Sequence, residues 1–199
     1  GMNIYSQISK NVWKSWFIMI LFVLFATTVA YVIGQATGYG LPFTILAIVI
    51  SIVSSIGSYY FSDQVVLSTS GAKPIKKADD PELYRIVENL AIGNGTPMPR
   101  LYIINDSSLN ALATGRDPKH ASVAVTSGLL DKLNKSELEG VIAHELSHVG
   151  NYDIRLMSIV TVLVGTVTLV ADFFMRSLWF RDRDDKGNLP PVFLLIGIA

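Results

Sequence analysis

The sequence predicts an α+β membrane protein: transmembrane helices joined to a polar domain that holds a small β-sheet and one helix with the pattern H-E-x-x-H. Three observations predict it. From Ser15 to Ser62 there is no Asp, Glu, Lys or Arg. Residues 63–153 carry most of the charge and all three histidines. Two of those histidines, His144 and His148, stand four residues apart on a stretch with helical periodicity.

Composition narrows the classes further. Half of the 199 residues are apolar and 16% are charged, against roughly 25% charged in a soluble domain. Lys and Arg number 16, as do Asp and Glu. That balance excludes a nucleic-acid partner, whose basic excess would show. The absence of Cys removes disulfides, thiolate metal sites and cysteine nucleophiles. Any metal must be held by His and carboxylates.

Residues 2–62 predict two transmembrane helices. A Gly-rich break from Gly34 to Gly40, followed by Pro42, divides them. Val12 to Ile33 gives about 22 residues, or about 33 Å of helix. Leu41 to Phe61 gives a similar length, and each spans a hydrocarbon core of roughly 30 Å. Trp13, Trp16, Tyr31, Tyr39, Tyr59 and Tyr60 lie near the ends, as an aromatic belt would. The first segment is too long for the apolar core of a signal peptide, and no small-residue cleavage site follows it. A third apolar run, Ile154 to Phe180, holds Asp172 and Arg176 four residues apart, spaced to pair near the interface. With a fourth run, Pro191 to Ala199, it predicts an incomplete apolar helical hairpin over 154–199. Lys10 and Lys14 precede span one, and Lys73, Lys76 and Lys77 follow span two. The positive-inside rule places the domain over 63–153 in the cytoplasm, in a multi-pass protein of the inner or plasma membrane. Arg176, Arg181 and Arg183 weigh against a full crossing by the third run.

Within 63–153, Asp79-Asp80-Pro81-Glu82 predicts a helix start. Leu83, Ile86, Val87 and Leu90 give its 3.6 period, and Gly93-Asn94-Gly95 ends it. Leu101 to Ile104 predicts a short strand, and Ala121 to Thr126 a second. Between them Asn110 to Gly115 reads as small and flexible. Ser136 to Glu139 fits a capping box ahead of a helix whose stripe is Leu138, Val141, Ile142, Leu146 and Val149. Gly150-Asn151 ends it.

That helix carries His144-Glu145-Leu146-Ser147-His148. Imidazoles at i and i+4 lie about 40° apart around the axis, one turn above the other, so both rings can aim at one ion. Zinc suits imidazole and takes three protein ligands plus an open position. Glu145, next to the first ligand, is placed to take a proton from water and pass it on. Asp153 lies five residues beyond His148, where it can orient a ligand imidazole or cap the next helix. His120, after Pro118-Lys119, reads as a surface residue. No G-x-S-x-G elbow or Gly-rich phosphate loop is present.

Four stretches together are more specific than the five-residue motif. They are Asn110-Ala111-Leu112-Ala113-Thr114-Gly115-Arg116, Ala121-Ser122-Val123-Ala124-Val125-Thr126-Ser127-Gly128-Leu129-Leu130, Glu137-Leu138-Glu139-Gly140-Val141-Ile142-Ala143, and His144 to His148. They closely resemble HtpX-type membrane metalloproteases, with CAAX-type prenyl proteases and Oma-type mitochondrial proteases as more distant relatives. The resemblance covers nearly the whole chain. It implies a membrane zinc endopeptidase with a zincin-like catalytic domain in the cytoplasm, degrading damaged or misfolded membrane proteins. By the same resemblance His144 and His148 are zinc ligands and Glu145 is the catalytic base. Val123, Ala124, Val125 and Thr126 would form the edge strand that pairs with a polypeptide substrate. The family's third ligand is a Glu on a helix past the apolar hairpin. Glu82, Glu88, Glu137 and Glu139 all precede the motif and match nothing there. The expectation is therefore a third ligand beyond Ala199, supplied by a missing C-terminal segment or a second chain. The alternative is a non-enzymatic membrane scaffold or regulatory half.

Overall fold

The computed structural model describes residues 4–38 and 40–183. The fourth apolar run, with Asp184 and Asp185, lies outside the described residues, as does any second arm of the expected hairpin.

Helices α1 (Ile4–Thr37) and α2 (Gly40–Thr69) cover the two apolar segments expected to span the membrane. Gly38 at φ 79° and Gly40 at φ 60° turn the chain between them, a backbone only glycine adopts freely. Both helices outrun the apolar segments, and α2 continues seven residues past Ser62 because Asp63 has a partner. Arg100 donates Nη2–H to its Oδ2 at 2.6 Å. Trp16 of α1 stacks on Tyr59 of α2, with centroids 5.7 Å apart. Several hydroxyls inside these helices bond back along their own helix, as Ser58 does to the Ser55 carbonyl at 2.7 Å, which satisfies them without water; the buried Ser55 Oγ itself has no hydrogen-bond partner among the described residues. The third long helix, α6 (Asp153–Arg183), follows the polar domain. Its segment Asp153–Asp172, with Gln7–Ala36 and Gly40–Thr69, is long and apolar enough to cross a membrane. Asp172 has an interaction, whereas the Arg176 side chain lies outside the described ones.

The polar domain holds β1 (Ala72–Pro74), α3 (Pro81–Asn94), β2 (Arg100–Ile104), β3 (Ala111–Thr114), a 3₁₀ turn at Pro118–His120, β4 (Ser122–Thr126), α4 (Ser127–Lys132) and α5 (Lys135–Gly150). Asp80 caps α3 by accepting from the Leu83 N–H at 3.0 Å, and Gly95 at φ 67° closes it. The cap of α5 is Asn134 with Glu137, two residues earlier than Ser136 with Glu139. Asn134 Oδ1 accepts from the Glu137 N–H at 3.0 Å, and Glu137 Oε2 accepts from the Asn134 N–H at 2.9 Å. Ser136 thus falls inside the first turn.

The sheet runs β1-β2-β4-β3, with β2 and β4 parallel and both outer strands antiparallel to their neighbours. This overturns two expectations. Asn110 to Gly115 is not a flexible link, since Ala111–Thr114 pairs with β4 as a strand. And Val123 to Thr126 is not an edge. It is the interior strand, hydrogen-bonded on both sides and wholly buried. Small side chains suit it to that place, because both faces are covered. Leu83, Ile86 and Val87 of α3 and Leu138, Ile142, Leu146 and Val149 of α5 pack with Val123 and Val125 in one core. Each such side chain contributes roughly 1.5–3 kcal/mol on burial.

Candidate metal centre

Helix α5 is fixed by its apolar stripe against the core, which decides what its other side presents. Asn94 adds a cross-link, donating Nδ2–H to the Leu146 carbonyl at 3.1 Å. On the free side His144 is exposed, while Glu145 and His148 are half-buried. The two imidazole Nε2 atoms stand 3.3 Å apart, with ring planes at 88°. Zinc binds imidazole nitrogen at about 2.0–2.1 Å in tetrahedral geometry, which puts two such nitrogens about 3.3–3.4 Å apart. The donor pair therefore fits a zinc ion.

The other nitrogen of His148 is also engaged. Its Nδ1 lies 3.3 Å from Asp153 Oδ2. A ring that donates at Nδ1 keeps its Nε2 lone pair for an ion. Asp153 is at the same time the first residue of α6, an acid in its first turn, so its carboxylate stands both beside the His148 ring and at the start of the next helix. The turn that allows this is tight. Tyr152 adopts φ 60°, rare for a bulky residue, and α6 begins three residues after α5 ends. Arg155 lies over the Tyr152 ring at 5.3 Å.

The edges of the sheet are β1 and β3, and β3 lies next to the interior strand β4. The Thr126 N–H donates to the Asn110 carbonyl at 3.0 Å, and the register pairs Leu112 with Ala124 and Thr114 with Ser122. By the alternation of an antiparallel ladder, the N–H and C=O of Ala111 and Ala113 point away from β4. The far end of β3 is held by α6. Thr114 Oγ1 and Ser158 Oγ are 2.7 Å apart, and the Gly115 N–H donates to Ser158 Oγ at 3.3 Å. Gly115 sits at φ 140°, and a Cβ there would meet the His120 carbonyl oxygen at 2.4 Å.

His120 stays outside this site. It is exposed and pairs with Asp117, Nδ1 to Oδ1 at 2.8 Å. Burial pushes the Asp117 carboxyl up, but the His120 ring and the His120 and Lys119 N–H groups together outweigh it and hold the carboxyl below its usual range. Among the described residues no three His, Asp or Glu side chains gather as a metal cluster. Glu82, Glu88, Glu137 and Glu139 do not join the imidazole pair. Sequence reasoning did not find Asn11, which touches Asp153, nor Ser158. Each is a small polar residue in an apolar helix, and only a partner distant in sequence distinguishes it.

A model of peptidase family M48 matches residues 77–196. The chain is similar to the protein named Protease HtpX homolog in Tropheryma whipplei (strain Twist), 42% identical over 96% of this chain and 65% of that protein. It is similar to the Protease HtpX homolog of Caldanaerobacter subterraneus subsp. tengcongensis, 39% identical over 98% of this chain and 67% of that one. The corresponding figures for the Streptococcus gordonii homolog are 40%, 98% and 69%. The chain spans about two thirds of the length of these curated relatives.

Proposed function

The chain belongs to peptidase family M48, and from that premise we propose a membrane-bound zinc endopeptidase of HtpX type that hydrolyses damaged or misfolded membrane proteins. The observation that carries this reading is the 3.3 Å separation of the His144 and His148 Nε2 atoms beside Glu145. These two nitrogens would hold the ion, which supplies Lewis acidity to the site. Asp153 accepts from His148 Nδ1–H and fixes the ring's tautomer. Glu145 takes a proton from the attacking water and returns it to the leaving amine nitrogen. The outward N–H and C=O groups of Ala111 and Ala113 pair with an extended substrate by strand addition. A catalytic zinc takes three protein ligands. We assign the third to a carboxylate in the part of the relatives' length that this chain does not span, in cis or from a second chain. Lys10, Lys14, Lys73, Lys76 and Lys77 support a cytoplasmic domain over 63–153. Labelling of a cysteine placed at the exposed Ser107 by a membrane-impermeant reagent, from the periplasmic side of intact cells, would reverse that orientation.

The test uses the full-length protein in detergent, with metal content and casein cleavage as readouts. Glu145→Gln keeps stoichiometric zinc and loses cleavage by about 100-fold or more, since the amide cannot accept the proton. His144→Ala loses the metal itself. Cleavage by Glu145→Gln within a few-fold of wild type removes Glu145 from the chemistry. Wild type that binds no zinc and cleaves nothing supports the scaffold reading instead.

A further inference from the structure

We infer that Asn11 of the first membrane helix is a positioning residue for the imidazole pair, acting on His148 through Asp153. This rests on the zinc-peptidase reading and extends it to a residue more than 130 positions away in sequence. Asn11 is buried, 8% exposed, at the start of the apolar part of α1. Its side-chain amide donates twice. One Nδ2–H goes to the Asn151 carbonyl at 3.0 Å, and the amide also donates to Asp153 Oδ1. The other Asp153 oxygen, Oδ2, faces His148 Nδ1. The carboxylate is thus held at both oxygens, by α1 on one side and by the ligand imidazole on the other.

The chemistry gives this arrangement a purpose. A carboxylate orients an imidazole only while its own rotation is restrained. Asp153 follows a turn through Tyr152 at φ 60°, and although Val149 and Ile154 on either side are buried in the core, the Asp153 carboxylate itself is held, among the described residues, only by polar contacts. Asn11 fastens both sides of it, the Asn151 carbonyl before and the Asp153 carboxylate after. An aliphatic residue at position 11 would leave Asp153 Oδ1 half-buried and undonated. An Asp there would set two acceptors against each other. Either change frees the carboxylate to turn from His148.

The experiment compares wild type, Asn11→Ala, Asn11→Asp, Asp153→Ala and the Asn11→Ala/Asp153→Ala double variant, each as full-length protein in detergent. Zinc affinity is read by competition with a chromophoric chelator, and kcat and KM by peptide cleavage. Removing a group that supports a metal ligand typically weakens metal binding 10–100-fold. Asn11, one step further out, belongs at the lower end. The expected result is about a 10-fold weaker zinc Kd in both Asn11 variants, with kcat lowered and KM unchanged. The double variant should be no worse than Asp153→Ala, because Asn11 then has nothing to act through. A purely helix-packing role gives penalties that multiply in the double variant, and that result overturns the inference. So does wild-type zinc affinity in Asn11→Asp, which keeps the side-chain volume and decides the matter if Asn11→Ala does not fold. Wild type without zinc sinks the peptidase reading and this inference with it. Wild type with zinc beside unaffected Asn11 variants sinks this inference alone.

Discussion

In α2 the buried side chains are Thr44, Ser51, Ser55, Ser58, Ser62, Asp63 and Leu67, while Ile45, Val49, Ile52, Val53 and Ile56 are exposed. In α3 and α5 the order is reversed: Leu83, Ile86, Val87, Ile142, Leu146 and Val149 are inside and the charges are out. The same chain therefore uses two opposite rules. Apolar burial drives the second region because its surroundings are water. In a bilayer there is no such force between helices, so small hydroxyl residues that permit close approach line the interior. The candidate metal centre stands on the water-rule helix α5, yet its supports come from the other region. Asn11 holds Asp153, and Ser158 holds the end of β3.

The largest effect that tests this contrast uses one substitution in both regions. Ile56, 55% exposed near the middle of α2, and Ile92, 73% exposed on α3, are both exposed by area. If bilayer surrounds the first and water the second, Ile56→Lys disfavours insertion of α2 by roughly 3–4 kcal/mol. Ile92→Lys stays within about 0.5 kcal/mol of wild type. Membrane extraction and protease protection of α2 report the first, and thermal unfolding in detergent the second. Similar outcomes at both sites would break the contrast and with it the assignment of α2 as a span.

The two regions also differed in how far sequence alone reveals them. The spans were legible because 48 consecutive uncharged residues, Ser15 to Ser62, have few other uses. Helix α5 was legible from its stripe. Its start was not, since Asn134-x-x-Glu137 and Ser136-x-x-Glu139 carry the same spacing two residues apart, and only the path of the chain selects between them. Strand β3 was missed because Asn110 to Gly115 has no alternation to read. Pairing with β4 makes it a strand. The misplacement of the edge has the same origin. Sheet order is a tertiary fact, and the short Ser122 to Thr126 run carries no mark of being third in the sheet. Of the site, the two histidines and Glu145 stood in one motif, and Asp153 was near enough to suspect. Asn11 lay 142 residues from its partner Asp153, beyond any local pattern.

A mid-sized effect sharpens the rule for the spans. Ser58 is 1% exposed among the membrane helices, and its hydroxyl already bonds to its own helix. Under the water rule, Ser58→Leu would add apolar burial and stabilise. Under the close-packing rule the added volume forces the helices apart and costs about 1–3 kcal/mol. The melting temperature in detergent should fall, and the zinc Kd should rise with it if the spans hold the site. Stabilisation by Ser58→Leu would mean that the α1–α2 contact is loose enough to accept a large side chain.

The smallest effect belongs to the water-facing loop between β3 and β4, where ordinary surface electrostatics apply. Asp117 accepts from the Lys119 N–H at 2.9 Å, the His120 N–H at 3.0 Å and the His120 ring. These contacts hold its carboxyl below the ordinary value of 3.8 despite the opposing pull of burial. A carboxyl depressed by folding contributes stability above its unfolded value. That contribution is lost as pH falls through the folded value. Asp117→Asn is therefore less stable than wild type at pH 7, by under about 1 kcal/mol because the pair is partly solvated. The gap between them narrows below about pH 4, where wild type also becomes protonated. Denaturant unfolding of both proteins at pH 7, 4 and 3 measures it. A gap that stays constant down to pH 3 would assign the role of Asp117 to its hydrogen-bonding shape, which the amide preserves in part, and not to its charge.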